Sequence, residues 1–172
     1  KGKKSKSTPA PVNTSLESNK LRILRDRAAM LGCARAFFAK RGILEVDTPL
    51  LSPTAPIDRH IDVMRVEFCG GIGYLHTSPE YAMKRLLAVG IGDIYQLGHV
   101  YRDGETGPFH HPEFTMAEWY RISPDFLALQ EEALDFIRLF LGDLTSRRYR
   151  YRDLFQEYLG VDSLVTNTQK LV

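Results

Sequence analysis

Apolar residues recur at intervals of three or four positions from Leu21 to Phe38, with Arg and Lys between them. This spacing places the apolar side chains on one face of a helix, so it predicts a helix over Leu21–Arg41. Gly42 follows two basic residues, a position at which glycine commonly ends a helix in the left-handed conformation. The first regular element is therefore predicted to be a long amphipathic helix.

The residues before this helix have a different composition. Residues 1–18 are rich in Lys, Ser, Thr, Pro and Asn. Such a stretch buries too little apolar surface to offset the entropy lost on folding. We therefore predict a disordered basic tail over residues 1–18 and a folded unit over residues 19–172.

Short apolar runs bounded by Pro and Gly follow the first helix. They predict strands at 43–48, 61–68, 74–77, 94–102 and 114–121. Two further helices are predicted over about 78–89 and 123–141, because each begins with Ser-Pro followed by an acid. The last two strands are too close in sequence for a parallel crossover, so they should pair antiparallel. The predicted fold class is α+β, with helices packed on an antiparallel sheet.

Composition narrows the class of protein only modestly. The chain has 172 residues, of which 44% are hydrophobic and 26% charged, with a net charge of +2. These values are typical of one globular domain, and the charge gives no sign of a strong nucleic-acid partner. The sequence has no apolar run long enough for a membrane helix. Because no membrane helix is predicted, we expect no membrane association. The two cysteines, Cys33 and Cys69, are far apart in the sequence, which fits a reducing, cytoplasmic setting.

The last predicted strand carries the first candidate chemistry. Alternate residues of a strand share a face, so Phe114, Glu118 and Tyr120 should point the same way. An aromatic ring can stack on a base, while a carboxylate and a phenol can bind an ammonium group through charge-assisted hydrogen bonds. The alternative is that this face is simply the solvated side of a sheet.

A second candidate lies where the preceding strand ends. Arg102 precedes a polar loop, and its planar guanidinium is suited to holding two oxygens of a phosphate. His110 and His111 lie in the same loop. Adjacent residues of an extended chain face opposite ways, so we do not expect them to share a metal ion, and we predict no metal site within this chain.

Three segments together resemble class II aminoacyl-tRNA synthetases of the lysine-activating kind. The helix 21–41 with Gly-Ile-Leu-Glu-Val-Asp-Thr-Pro over 42–49 resembles motif 1, and 94–121, with Arg102 and Pro-Glu-Phe-Thr-Met-Ala-Glu-Trp-Tyr-Arg over 112–121, resembles motif 2. Thr-Ser-Pro-Glu-Tyr over 77–81 is similar to the amino-acid-binding segment between them. Ser-Pro-Glu-Tyr and Glu-Trp-Tyr-Arg are most similar to the elongation factor P–β-lysine ligase branch.

The resemblance implies a function. Enzymes of this family join a lysine-type amino acid to ATP with Mg²⁺, forming an aminoacyl adenylate and pyrophosphate. In the ligase branch, (R)-β-lysine is then transferred to a lysine of elongation factor P, so a tRNA partner is not expected. Motif 1 implies a homodimer. The alternatives are a fragment of a lysyl-tRNA synthetase, and a non-catalytic paralogue that acts as a binding module.

The resemblance also implies roles for individual residues. Arg102 would be catalytic, holding the α-phosphate and the attacking carboxylate, and Phe114 would stack on adenine. The implied ATP-binding residues are Arg102, Asp103, Gly104, Glu105, His110, His111 and Phe114. The implied substrate-binding residues are Ser78, Pro79, Glu80, Glu118 and Tyr120. Such synthetases usually have an acid at the position of Gly104 and Asn at that of His111. Either Glu105 replaces the acid, or the contact that the acid makes with adenine or ribose is altered.

The third motif of the family and its acidic Mg²⁺ ligands are expected beyond residue 172. Residues 19–172 would then form only the N-terminal part of the catalytic domain. We therefore expect residues 1–172 alone to be inactive.

Overall fold

The computed structural model describes residues 14–122 and 125–165 and has the predicted α+β class. Its helices are α1 (Thr14–Lys40), α2 (Glu80–Ala88), α3 (Phe126–Leu141) and α4 (Tyr151–Leu159). Its strands are β1 (Leu44–Glu45), β2 (Leu51–Ser52), β3 (Arg65–Phe68), β4 (Gly71–Leu75), β5 (Ile94–Tyr101) and β6 (Glu113–Tyr120). None of the helices in these ranges is long and apolar enough to cross a membrane.

The strands form two three-stranded sheets. In the larger sheet, β5 lies between β1 and β6, and β5 and β6 pair antiparallel from Ile94–Tyr120 to Tyr101–Glu113. This antiparallel pairing confirms the sequence prediction. The β1 strand pairs parallel with β5, a pairing that the sequence did not predict. The smaller sheet has the order β2-β4-β3 and is antiparallel throughout.

The hydrophobic core lies between the larger sheet and two helices. Phe38 of α1 is fully buried and stacks on Tyr95 of β5, with 4.2 Å between the ring centroids. Trp119 of β6 and Phe136 of α3 pack against Phe38, at centroid distances of 5.4 and 5.2 Å. Since Trp119 faces these helices, its neighbours Glu118 and Tyr120 face the other side of the sheet.

Helix α1 is longer than predicted and only its C-terminal half is packed. It begins at Thr14, so the helix extends into residues 14–18, which were predicted to belong to the tail; residues 1–13 lie outside the described part. Leu16 and Glu17 are good helix formers, which favours this extension. Gly42 ends the helix as predicted, with a φ of 68°. Leu21 and Leu24, by contrast, are 55% and 61% exposed.

The other predicted elements differ mainly at their ends. The predicted strand at 43–48 is regular only over Leu44–Glu45, and α3 begins at Phe126 rather than at 123. Asp125 is its N-cap and accepts a hydrogen bond from the Leu127 backbone N–H at 3.3 Å. Ser123 and Pro124, which were predicted to open this helix, lie outside the described residues.

Candidate active site

A carboxylate of β6 is held by two hydroxyl groups on the face of the sheet away from the helices. Ser78 Oγ donates to Glu118 Oε2 at 2.6 Å, and the Tyr120 hydroxyl donates to Glu118 Oε1 at 2.7 Å. Tyr120 follows Glu118 by two residues on the strand, so the two side chains share a face. Both carboxylate oxygens therefore have fixed positions, and each keeps acceptor capacity for a ligand.

The phenol of Tyr120 is a stable donor in this arrangement. Partial burial raises its pKa well above the usual value of 10.0, and the hydrogen bond to Glu118 raises it further. Both effects disfavour a phenolate, because the negative charge would be poorly solvated and would lie beside a carboxylate. Tyr120 consequently remains neutral at any physiological pH and continues to donate to Glu118.

Ser78 connects β6 to the start of α2. Its Oγ accepts a hydrogen bond from the Glu80 backbone N–H at 3.0 Å while it donates to Glu118. Pro79, predicted at the first helical position, instead occupies the N-cap position with a φ of −72°, and the helix begins at Glu80. The hydroxyl of Ser78 thus satisfies a backbone donor of the first turn, as a capping side chain does.

Glu80 adds a second carboxylate beside Glu118. It forms an ion pair with Lys84, one turn further along α2, at 2.5 Å. The hydrogen bond and the charge of Glu80 raise the pKa of Lys84. Both side chains are about half exposed, so this pair is worth little to stability and can open to admit a ligand.

Arg102 lies at the opposite end of the β5–β6 hairpin from Tyr120. Its backbone N–H donates to the Pro112 carbonyl at 2.8 Å, which closes the base of the polar loop. The guanidinium carbon lies 5.1 Å from the centroid of the Phe114 ring, and Nη1 lies 3.8 Å from Glu105 Oε1. The buried Nε has no hydrogen-bond partner among the described residues. A buried donor without a partner is a position that an anionic ligand would satisfy.

Gly104 lies at a turn of the polar loop. Gly104 has a φ of 72°, where a residue with a side chain would be strained. Its backbone N–H donates to the preceding Asp103 Oδ1 at 2.9 Å. The chain turns here, and Glu105 Oε1 lies 3.8 Å from Arg102 Nη1. That Glu105 takes the role of the usual acid stays a prediction.

The two histidines of the loop are exposed and contact different groups. His110 exchanges backbone hydrogen bonds with Gly107, at 3.1 and 3.3 Å. His111 Nδ1 lies 2.9 Å from the carbonyl oxygen of Glu113 and 3.2 Å from its backbone nitrogen. Within residues 14–122 and 125–165, no group of three or more His, Cys, Asp or Glu side chains is arranged to hold a metal ion.

A cavity of about 380 Å³ brings five of the predicted site residues together. Its lining includes Ser78, Glu80, Arg102, Glu118 and Tyr120. Phe114 lies beside it through Arg102. The remaining predicted residues do not line this cavity; they are Pro79, Asp103, Gly104, Glu105, His110 and His111. The cavity thus has a guanidinium at one end of the hairpin and carboxylates nearer the other end.

One wall of the cavity comes from residues that the sequence did not suggest. Pro56, Ile57, Asp58 and Ile61 belong to the connection between β2 and β3 and line the same cavity. This connection has no regular periodicity, and its position depends on contacts with distant residues. The only signal in the sequence was composition, since Asp58 comes shortly after Pro53 and Pro56.

Comparison with known families shows which family the chain matches. Residues 12–151 match the family model described as tRNA synthetases class II (D, K and N). The matched region contains α1, both sheets and every residue of the candidate site.

Individual relatives give a narrower likeness. The chain is 46% identical over 145 residues to the elongation factor P–(R)-β-lysine ligase of Vibrio vulnificus, covering 80% of this chain and 45% of that protein. It is 44% identical to the Vibrio cholerae ligase of the same name, covering 86% and 48%, and 41% identical to that of Pseudoalteromonas translucida, covering 93% and 51%. The chain spans about half the length of the curated relatives it matches.

Proposed function

The chain belongs to the tRNA synthetases class II (D, K and N), and on that premise we propose that the whole protein activates a lysine-type amino acid with ATP and transfers (R)-β-lysine to a lysine of elongation factor P. The names of the relatives support the proposed identities of the acceptor and of the amino acid. The observation that carries the proposal is the cavity shared by Arg102, Glu118 and Tyr120. Its two ends suit the two ends of an amino acid with a basic side chain.

The carboxylate end of the cavity binds the substrate's ammonium. Glu118 is oriented by Ser78 and Tyr120 before any ligand arrives, so little freedom is lost on binding. An ammonium donates to the remaining lone pairs of Glu118, and Glu80 can exchange its contact with Lys84 for a second one. This end would select substrates with a positively charged group.

Arg102 serves the reacting end. An oxygen of the amino-acid carboxylate attacks the α-phosphorus of ATP, the bond to the bridging oxygen breaks, and pyrophosphate leaves with that electron pair. The guanidinium holds the carboxylate and the α-phosphate together and offsets the negative charge on both. The unpartnered Nε of Arg102 fits this role. Phe114, beside Arg102, offers its ring to the adenine.

Mg²⁺, when bound, neutralises charge on the phosphates of ATP. Acidic residues that hold such an ion belong to the third-motif region of the family, and we assign none here. Glu105 keeps Arg102 in place until ATP binds. His110 and His111, exposed in the same loop, are the residues that we propose to contact ATP.

The second step releases AMP. The acceptor's lysine amine attacks the carbonyl carbon of the adenylate, the carbon–oxygen bond to phosphate breaks, and the nitrogen loses a proton. No covalent bond to the enzyme is needed, so positioning of the two substrates supplies the catalysis. Elongation factor P is the proposed acceptor, and a tRNA is not required.

Homodimerisation through α1 and a cytoplasmic location complete the proposal. The N-terminal half of α1 exposes Leu21, Ile23 and Leu24, each more than half accessible. Burying such side chains against a second copy removes apolar surface from water. Cys33 and Cys69 are exposed free thiols, which suits a reducing compartment.

ATP–pyrophosphate exchange on the full-length protein tests the proposal, with lysine and (R)-β-lysine compared in parallel. We expect faster exchange with (R)-β-lysine, and the substitution Arg102→Ala should lower the rate more than a hundredfold. Arg65→Ala, on the exposed strand β3, is the control and should leave the rate unchanged. Faster exchange with lysine would favour a lysyl-tRNA synthetase, and no exchange with either would favour a binding module.

A further inference from the structure

The helix-facing side of the β5–β6 hairpin becomes polar towards the end that carries the polar loop. Tyr101 and Glu113 form the last pair of the antiparallel ladder, so their side chains lie on the same side of the sheet. The Tyr101 hydroxyl donates to Glu113 Oε1 at 3.1 Å, and His99 Nδ1 lies 2.8 Å from the same oxygen. A single carboxylate oxygen of β6 therefore joins two side chains of β5.

The donors and the acceptor in this contact follow from the protonation of its members. The hydrogen bond from Tyr101, and then that from His99, lower the pKa of Glu113, so its carboxylate is ionised at neutral pH. An ionised carboxylate only accepts hydrogen bonds, so His99 must donate from Nδ1. Burial, and then the bond to Glu113, raise the pKa of Tyr101, so its phenol stays protonated. Both hydrogen bonds are therefore present at neutral pH.

Strand β5 is held at this end by His76, a buried residue that follows β4. The Tyr101 backbone N–H donates to the His76 carbonyl at 3.0 Å. The His76 ring donates from Nε2 to the His99 carbonyl, also at 3.0 Å. The end of β5 is thus attached to a buried side chain, and Glu113 attaches β6 to that strand.

Glu113 also lies among the residues that we propose to contact ATP. It follows Pro112, whose carbonyl accepts from the Arg102 backbone N–H at 2.8 Å, and it precedes Phe114. His111 Nδ1 lies 2.9 Å from the Glu113 carbonyl oxygen and 3.2 Å from its backbone nitrogen. The terminal pair of a ladder opens most easily, so a side-chain contact there has a large effect on local order. Opening of this pair would displace both the Phe114 ring and the base of the polar loop.

We propose that Glu113 is a positioning residue for ATP; this rests on the proposed function. Its bonds to Tyr101 and His99 fix the end of β6, and with it the ring of Phe114. Glu113 does not touch the nucleotide, because its side chain lies on the side of the sheet away from the cavity. Without these bonds the adenine site must be ordered when ATP binds, which weakens binding. The amine-binding carboxylate of Glu118 lies further along β6 and keeps its geometry.

Exchange kinetics of the full-length protein test this inference. In Glu113→Ala, the KM for ATP should rise about five- to tenfold, while the KM for (R)-β-lysine stays within about a factor of two. Glu113→Gln should remain close to the wild type, because its amide oxygen can accept both hydrogen bonds. Glu67→Ala is the matched control, since it makes the same change on the exposed strand β3, and it should leave both constants unchanged.

A double-mutant cycle shows whether the effect passes through the contact with β5. Tyr101→Phe should raise the KM for ATP about two- to threefold on its own and should add nothing in Glu113→Ala. Four results would each overturn the inference: an unchanged KM for ATP in Glu113→Ala, an equal rise in KM for both substrates, a Gln variant as impaired as the Ala variant, or additive effects in the cycle.

Failure of the proposed function gives a different result. A wild type that exchanges with neither lysine nor (R)-β-lysine would contradict that function. Calorimetric titration with ATP then compares the same variants without any reaction. A weaker affinity of Glu113→Ala beside unchanged affinities of Glu113→Gln and Glu67→Ala would support the role of Glu113, and equal affinities of all three would overturn it.

Discussion

Single residues of β6 show what alternation along a strand can predict. The common face of Phe114, Glu118 and Tyr120 was predicted from spacing alone, and the antiparallel pairing of β6 confirms the geometry behind it. The bond between Ser78 and Glu118 was not predictable in the same way. It joins residues forty positions apart, and its formation depends on how α2 docks against the sheet.

Tyr120→Phe removes the donor to one oxygen of Glu118 without changing the shape of the site. We expect KM for the amino acid to rise about three- to tenfold, because Glu118 loses one of the two bonds that orient it. The KM for ATP should not change. Steady-state exchange assays check this, and a change in the ATP constant alone would contradict the role assigned to Tyr120.

The stability of the folded protein at alkaline pH depends on the ionisation of the Tyr95 phenol. Burial, and then the 2.8 Å hydrogen bond to Glu45, raise its pKa from 10.0 to about 12. The pKa of Tyr95 is higher in the folded protein than in the unfolded chain. The stabilising contribution of the protonated phenol is therefore complete below pH 10 and is lost as the pH rises towards 12. By pH 11 the loss should reach about 1.4 kcal/mol.

Tyr95→Phe lacks this titration, so its urea-unfolding free energy should fall less between pH 9 and pH 11 than that of the wild type. The other alkaline groups titrate equally in both proteins and cancel in the comparison. Parallel curves for the two proteins over this range would show that the phenol does not titrate as described.

Among the secondary-structure elements, periodicity predicted the presence of the helices better than their first and last residues. The position of Gly42 was correct because only a residue that tolerates positive φ ends the helix there at low cost. The start of α1 at Thr14 and the parallel pairing of β1 were missed. A parallel pairing joins segments that are distant in sequence. Neither composition nor the spacing of apolar residues predicts which residues of the two strands pair.

Packing between α1 and the sheet depends on Phe38. Its replacement by Ala should lower the free energy of unfolding by about 3–5 kcal/mol, since the ring is fully buried against Tyr95 and Trp119. Phe109→Ala is the matched control, because Phe109 is 96% exposed, and it should change stability by less than about 0.5 kcal/mol. Urea denaturation measures both, and similar losses would contradict the described core.

At the scale of the whole molecule, the unpacked half of α1 is the feature that an isolated chain does not explain. The periodicity of residues 21–38 predicted an apolar face on the helix. It could not say that Leu21 and Leu24 on this face are left more than half exposed. The family resemblance supplied the homodimer as the partner, and exposure of Leu21 and Leu24 fits that expectation.

Leu24→Arg should therefore shift the full-length protein from dimer to monomer, because a charge at the centre of an apolar interface is costly to bury. Leu159→Arg is the control, since Leu159 is 58% exposed on α4 and Leu24 is 61% exposed. Light scattering after size exclusion gives the molar mass of each. A wild type that is monomeric at micromolar concentration would exclude the dimer.

Transfer of (R)-β-lysine to elongation factor P is the reaction that we propose for the whole protein. The most direct measurement incubates the full-length protein with ATP, Mg²⁺, (R)-β-lysine and elongation factor P, and follows the intact mass of the acceptor. We expect a mass increase of one β-lysyl group on a single lysine, which requires ATP and is absent with Arg102→Ala. An unmodified elongation factor P beside efficient charging of tRNA with lysine would contradict it.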